Sequence, residues 1–174
     1  MRYRAPKATN TITLSAMFCA MTVISLYLAA VLPAMRMTMY FLSSLFIAGL
    51  IVERKPAAAV LMYIAAALLS LLLTPDLLTT LPYVLLFGHY GIGKYYIEKF
   101  DNKIISYVLK LLYFNACFLI VYLLAKEVFI GEALKKIPEF LIFILIQPVF
   151  VVFDFVYSFL SDFYYSNIRK RIIR

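Results

Sequence analysis

Four polar or ionisable side chains lie inside long apolar stretches of the sequence: His89, Lys110, Asn115 and Asp154. A charged side chain at the centre of a membrane helix costs about 2.5–3.5 kcal/mol on insertion scales, so it normally faces a partner or a cavity. Asp154 is expected to pair with Lys110 or with Lys94. Such a pair either clamps helices together or takes part in function, and both interpretations stay open.

His89 is the only histidine, and it lies in the glycine-rich stretch 81–100. The alternatives for it are a ligand contact, a metal ligand, a proton relay or a packed, hydrogen-bonded side chain. No cluster of Cys, His and Asp accompanies it, so no metal site is predicted. Residues 88–94 (GHYGIGK) fit G-x4-G-K, but Tyr95 stands where a P-loop needs Ser or Thr, and an apolar helix precedes the motif where a P-loop has a strand. The glycines are expected to allow close helix packing or backbone contact with a ligand.

Catalytic motifs are absent from the sequence. There is no G-x-S-x-G elbow, no HExxH, no pair of aspartates at membrane depth and no Ser-His-Asp set beyond chance. Cys19 and Cys117 both lie in apolar stretches, where a thiol behaves as a small hydrophobic group. The sequence therefore predicts neither an enzyme nor a bound cofactor.

The composition is that of a membrane protein. Of the 174 residues, 65% are hydrophobic and only 15% are charged, and the mean hydropathy is +0.93. The net charge of +8 does not indicate nucleic acid, because the basic residues form short clusters between apolar stretches. That spacing is typical of the positive-inside bias of membrane proteins.

Apolar stretches of about 20 residues, the length that crosses a bilayer, predict an all-α bundle of six transmembrane helices in a single integral membrane domain. The predicted spans cover residues 11–33, 37–52, 57–73, 77–97, 104–125 and 140–160. Pro82 is expected to kink the fourth. With both termini in the cytoplasm, twelve lysines and arginines lie inside and four outside, which favours this orientation in a cell membrane.

The first span carries Ala16 and Ala20 four residues apart, the small-xxx-small spacing that lets another membrane helix approach closely. With this motif, the basic start and six short-looped helices, the chain resembles the S component of energy-coupling-factor (ECF) transporters. The resemblance implies a membrane subunit that captures a micronutrient outside the cell. It also implies that Ala16 and Ala20 dock on a transmembrane T component driven by two ATPases.

On this resemblance the solute would bind among outer-half residues, an aromatic set with one cation that suits a flat or aromatic organic molecule: Arg36, Tyr40, Tyr83, Tyr122 and Gln147. The chain departs from the family in having only a few residues between its first two spans. The alternative is a noncatalytic scaffold of a cell-envelope complex, like the small cell-shape protein MreD. A scaffold predicts that the intramembrane polar residues clamp helices, whereas a transporter subunit predicts an enclosed outer cavity. A channel or autonomous carrier ranks third, because no inverted repeat or polar stripe supports it.

Overall fold

The computed structural model describes residues 7–100, 102–129 and 138–168, and within these ranges every regular element is helical. Six α-helices are present there: α1 (Lys7–Val31), α2 (Arg36–Val52), α3 (Pro56–Leu73), α4 (Gly88–Ile97), α5 (Lys103–Phe129) and α6 (Glu139–Phe163). Short 3-10 turns cover Pro33–Met35 and Leu77–Thr79, and π-helical segments cover Tyr83–Phe87 and Tyr164–Ile168.

Five of the helical segments are long and apolar enough to cross a membrane: Thr11–Val31, Pro33–Val52, Pro56–Leu73, Lys103–Leu124 and Phe140–Ser166. They coincide with five of the six predicted spans to within a few residues, except that the last runs six residues further. Large apolar side chains cover their outer faces, with Leu72 82% and Ile104 76% exposed. The described chain is therefore an all-helical bundle with the helix lengths and hydropathy of a multi-pass membrane protein.

The stretch 77–97, predicted as a fourth span with a kink at Pro82, is not among these five. It consists of the Leu77–Thr79 turn, the π-helical segment Tyr83–Phe87 and the ten-residue α4. Pro82 lies at the start of this helical stretch, where the missing N–H of proline costs little. The irregularity is the π-helical segment that follows it.

The short fourth helix lies at the centre of the bundle. α4 packs against α2, α3 and α5, and its side chains also reach α6. Tyr83 and Tyr90, on either side of the π-to-α junction, are fully buried. The charged residues Lys94, Lys110 and Asp154 are thus buried on or beside α4, while many apolar side chains of the longer helices face outwards, as a hydrocarbon environment requires.

Candidate functional site

Four charged side chains from three helices meet beside α4, and we refer to Lys94, Glu98, Lys110 and Asp154 as the ion cluster. Lys110 Nζ donates to Asp154 Oδ2 at 2.8 Å, and Lys94 Nζ donates to Asp154 Oδ1. All three residues are buried, with Lys94 5%, Lys110 8% and Asp154 8% exposed. The sequence offered the two lysines as alternative partners of Asp154, and the structure brings both to it.

The remaining hydrogen bonds of the ion cluster come from neighbours one helical turn away. The Tyr90 hydroxyl donates to Asp154 Oδ1 at 2.7 Å, and Lys94 Nζ donates to Ser158 Oγ at 2.6 Å. Glu98 Oε1 lies 3.1 Å from Lys110 Nζ, and its side chain is 46% exposed. Two positive and two negative charges therefore balance, and the ion cluster ties α4, α5 and α6 together.

Tyr90, Glu98 and Ser158 were not identified from the sequence. Each lies four residues from a charged member of the cluster, since Tyr90 and Glu98 flank Lys94, and Ser158 follows Asp154. Residues four apart share one face of a helix, so this spacing was the available indication.

His89 is held by hydrogen bonds at both ring nitrogens. Its Nε2 lies 2.8 Å from Leu85 O, a carbonyl that only accepts, so Nε2 carries the proton. Its Nδ1 then accepts from the Tyr113 hydroxyl at 2.5 Å. Because neither nitrogen has a lone pair left for a metal, His89 in this arrangement is a neutral, packed side chain that joins α4 to α5.

Asn115 of α5 and Gln147 of α6 form a reciprocal amide pair. Gln147 Nε2 donates to Asn115 Oδ1 at 2.7 Å, and Asn115 Nδ2 donates to Gln147 Oε1 at 3.2 Å. Each amide also donates to a carbonyl one turn earlier in its own helix, Leu111 O or Phe143 O. All four amide N–H groups are therefore used within the protein.

Comparisons with protein-family models, curated proteins and solved structures found no match to this chain. Among the residues that the structure describes, no three His, Cys, Asp or Glu side chains form a group suited to a metal ion. Cys19 and Cys117 are both free thiols.

The five residues proposed to bind a solute lie on four different elements. Tyr40 is buried and its hydroxyl donates to Thr79 O at 2.5 Å, while Arg36 Nε donates to Ala29 O at 3.2 Å. Both side chains thus have polar partners within the protein. These hydrogen bonds link α2 to α1 at Ala29 and to the 3-10 turn at Thr79.

Tyr83 is fully buried, and its hydroxyl has no hydrogen-bond partner in the part of the chain that the structure describes. Tyr122 is buried, and its ring packs against those of Phe118 and Phe143. The Gln147 amide is occupied by Asn115 and by Phe143 O of its own helix. Of the five residues, Tyr83 is thus the one with a buried side-chain polar atom that has no hydrogen-bond partner among the described residues.

Ala16 and Ala20 are both exposed on the outer face of α1. Their neighbours on that face are large: Met17 is 50%, Ile24 59% and Tyr27 47% exposed. The opposite face of α1 packs into the core through Phe18 and other buried residues. The two alanines therefore make a shallow notch in a surface of larger side chains.

The amide pair supplies a first prediction. Asn115→Leu should cost about 1–2 kcal/mol of unfolding free energy, because Gln147 then loses its amide partner inside the bundle. Gln147→Leu alone should cost a similar amount. The double variant should cost less than the sum of the single variants by about 0.6 kcal/mol, the average measured for hydrogen bonds between membrane helices, for which the largest value is about 1.7 kcal/mol. Unfolding in mixed detergent micelles measures this cycle, and strictly additive costs would show that the two amides do not interact.

Proposed function

We propose that the protein is the substrate-binding S component of an ECF-type uptake transporter in a bacterial or archaeal cell membrane. It captures a small organic solute outside and docks on a transmembrane T component driven by ATPases. The observation that carries the proposal is the outward placement of Ala16 and Ala20 on α1. Both termini lie in the cytoplasm in this proposal, since twelve basic residues then face inwards and four outwards.

The notch suits docking for a physical reason. Membrane helices gain no hydrophobic energy by associating, so they associate where small residues allow close backbone approach. Ala16 and Ala20 lie one turn apart and face away from the core, which leaves them accessible to a partner helix. The buried face of α1 meanwhile holds the protein's own bundle together through its contacts with α2 and α3.

In this proposal the solute-binding residues are Arg36, Tyr40, Tyr83, Tyr122 and Gln147. Tyr83 is the strongest candidate among them, because a buried hydroxyl without a partner gains most from a polar group of a ligand. Tyr40 and Gln147 would have to exchange existing hydrogen bonds for ligand contacts. The aromatic character of the set favours a flat or aromatic solute.

The test fills the notch with a large side chain and leaves the core residues unchanged. Ala16→Trp and Ala20→Trp should abolish co-purification of a T component and two ATPases with the tagged protein from its native membranes. Ala65→Trp is the matched control, because Ala65 is also exposed but lies on α3. Equal recovery of these partners with all three variants would contradict the docking assignment.

A noncatalytic membrane scaffold is the second candidate, and a specific observation favours it. The ion cluster, the His89–Tyr113 pair and the Asn115–Gln147 pair all bind helices to one another. A scaffold of this kind would co-purify with cell-envelope proteins and without ATPases. It would also retain no small molecule, which mass spectrometry of the purified protein would establish.

A further inference from the structure

An apolar cleft of about 440 Å³ lies between α1, α2 and α6, at the end of the bundle where α1 begins and α2 and α6 end. Thirteen residues line it, and only Ser161 and Tyr164 among them carry a side-chain oxygen. Met17, Leu42 and Phe163 line the cleft and are also substantially exposed, so it opens to the outer surface of the bundle. That surface is apolar and faces hydrocarbon in a membrane.

Cationic groups lie beside one end of this cleft. Val52 lines the cleft at the end of α2, and the turn to α3 follows at once with Glu53, Arg54 and Lys55. Lys55 Nζ donates to Thr11 Oγ1 at 2.5 Å, and Thr11 lies one turn before the cleft residue Leu14 on α1. The ammonium group is therefore held at the edge of the cleft, and the turn has a net positive charge.

We propose that the cleft binds an acyl chain of an anionic phospholipid whose phosphate is held by Lys55. Charge complementarity selects this occupant: an apolar groove open to the bilayer admits an acyl chain, and the cation at its polar end favours a negative headgroup. A Lys or Arg near a membrane surface attracts anionic lipid by an amount equivalent to about a fivefold preference. The site does not depend on the transporter proposal, because neither Ala16 nor Ala20 lines the cleft.

The absence of tryptophan from the sequence makes a direct test available. Leu45→Trp places a single fluorophore in the cleft, and the protein is reconstituted into phosphatidylcholine vesicles that contain brominated phosphatidylglycerol or brominated phosphatidylcholine. We expect brominated phosphatidylglycerol to quench the introduced tryptophan at about one fifth of the lipid fraction needed with brominated phosphatidylcholine. Leu68→Trp, on the exposed face of α3, is the control and should be quenched equally by both.

Adding Lys55→Gln to the Leu45→Trp variant should remove the headgroup preference while leaving quenching by brominated phosphatidylcholine unchanged. Equal quenching of the Leu45→Trp variant by the two lipids would overturn the proposal. A preference for brominated phosphatidylglycerol that persists after Lys55→Gln would also overturn it. If Leu45→Trp fails to fold, Leu42→Trp at the mouth of the cleft replaces it. Native mass spectrometry of the chain without tryptophan gives a second readout: retained phosphatidylglycerol should fall about fivefold with Lys55→Gln, and an unchanged amount would contradict the site.

Discussion

Replacing Asp154 with alanine is expected to lower the unfolding free energy by about 3–5 kcal/mol, the typical cost of removing one partner from a buried ion pair. The substitution leaves the ammonium groups of Lys94 and Lys110 buried without the carboxylate that both contact. Glu98 replaces it only in part, because its half-exposed carboxylate stays 3.1 Å from Lys110 Nζ but lies 3.6 Å from Lys94 Nζ. Unfolding of the purified protein in mixed detergent micelles, followed by circular dichroism, measures the loss.

Two control variants sharpen this prediction. Asp162→Ala removes an exposed carboxylate from the same helix and should change stability by less than about 0.5 kcal/mol. The combined variant Asp154→Leu, Lys94→Met, Lys110→Met and Tyr90→Phe removes the three buried charges of the ion cluster together with the hydroxyl that donates to Asp154. It should recover most of the stability, because apolar replacement of a complete buried ion pair is often neutral. A loss with Asp154→Ala no larger than that with Asp162→Ala would show that the lysines reach water.

Most of the fold could be predicted from hydropathy, because a bilayer imposes a minimum length on each apolar helix. The bounds of α2 and α3 differ from the predicted spans by a single residue at one end. The stretch 77–97 was less predictable, because the π-helical segment Tyr83–Phe87 has no composition that separates it from an α-helix. Its interruption reflects packing at the centre of the bundle.

The site was only partly predictable. The cost of burying a charge indicated that Asp154 needed a lysine, and the two candidate lysines were the ones found there. The proposed solute-binding tyrosines show the limit of this reasoning. Tyrosine is common at membrane interfaces, yet Tyr40 and Tyr83 are buried. A helix that is apolar all round gives no periodic pattern to show which face is inside.

Gly91→Ala is expected to lower the unfolding free energy by about 1–3 kcal/mol, the usual cost of adding a methyl group to a packed core. A β-carbon at Gly91 would overlap the Tyr157 hydroxyl, which lies against the backbone of α4. The gain in helix propensity from glycine to alanine, about 1 kcal/mol, offsets part of this cost. The same micelle unfolding measurement reports the net effect.

Tyr157→Phe should rescue Gly91→Ala in large part, because it removes the hydroxyl oxygen that the new methyl group overlaps most and leaves only the ring carbon Cζ, at 2.9 Å. It should not rescue Gly93→Ala, since a β-carbon at Gly93 would meet the Tyr113 ring at 2.7 Å. Tyr157→Phe alone should be neutral or slightly stabilising, because that buried hydroxyl has no hydrogen-bond partner in the described part of the chain. If Tyr157→Phe alone cost more than about 1 kcal/mol, this expectation would be contradicted, and the hydroxyl would have a polar partner such as a buried water.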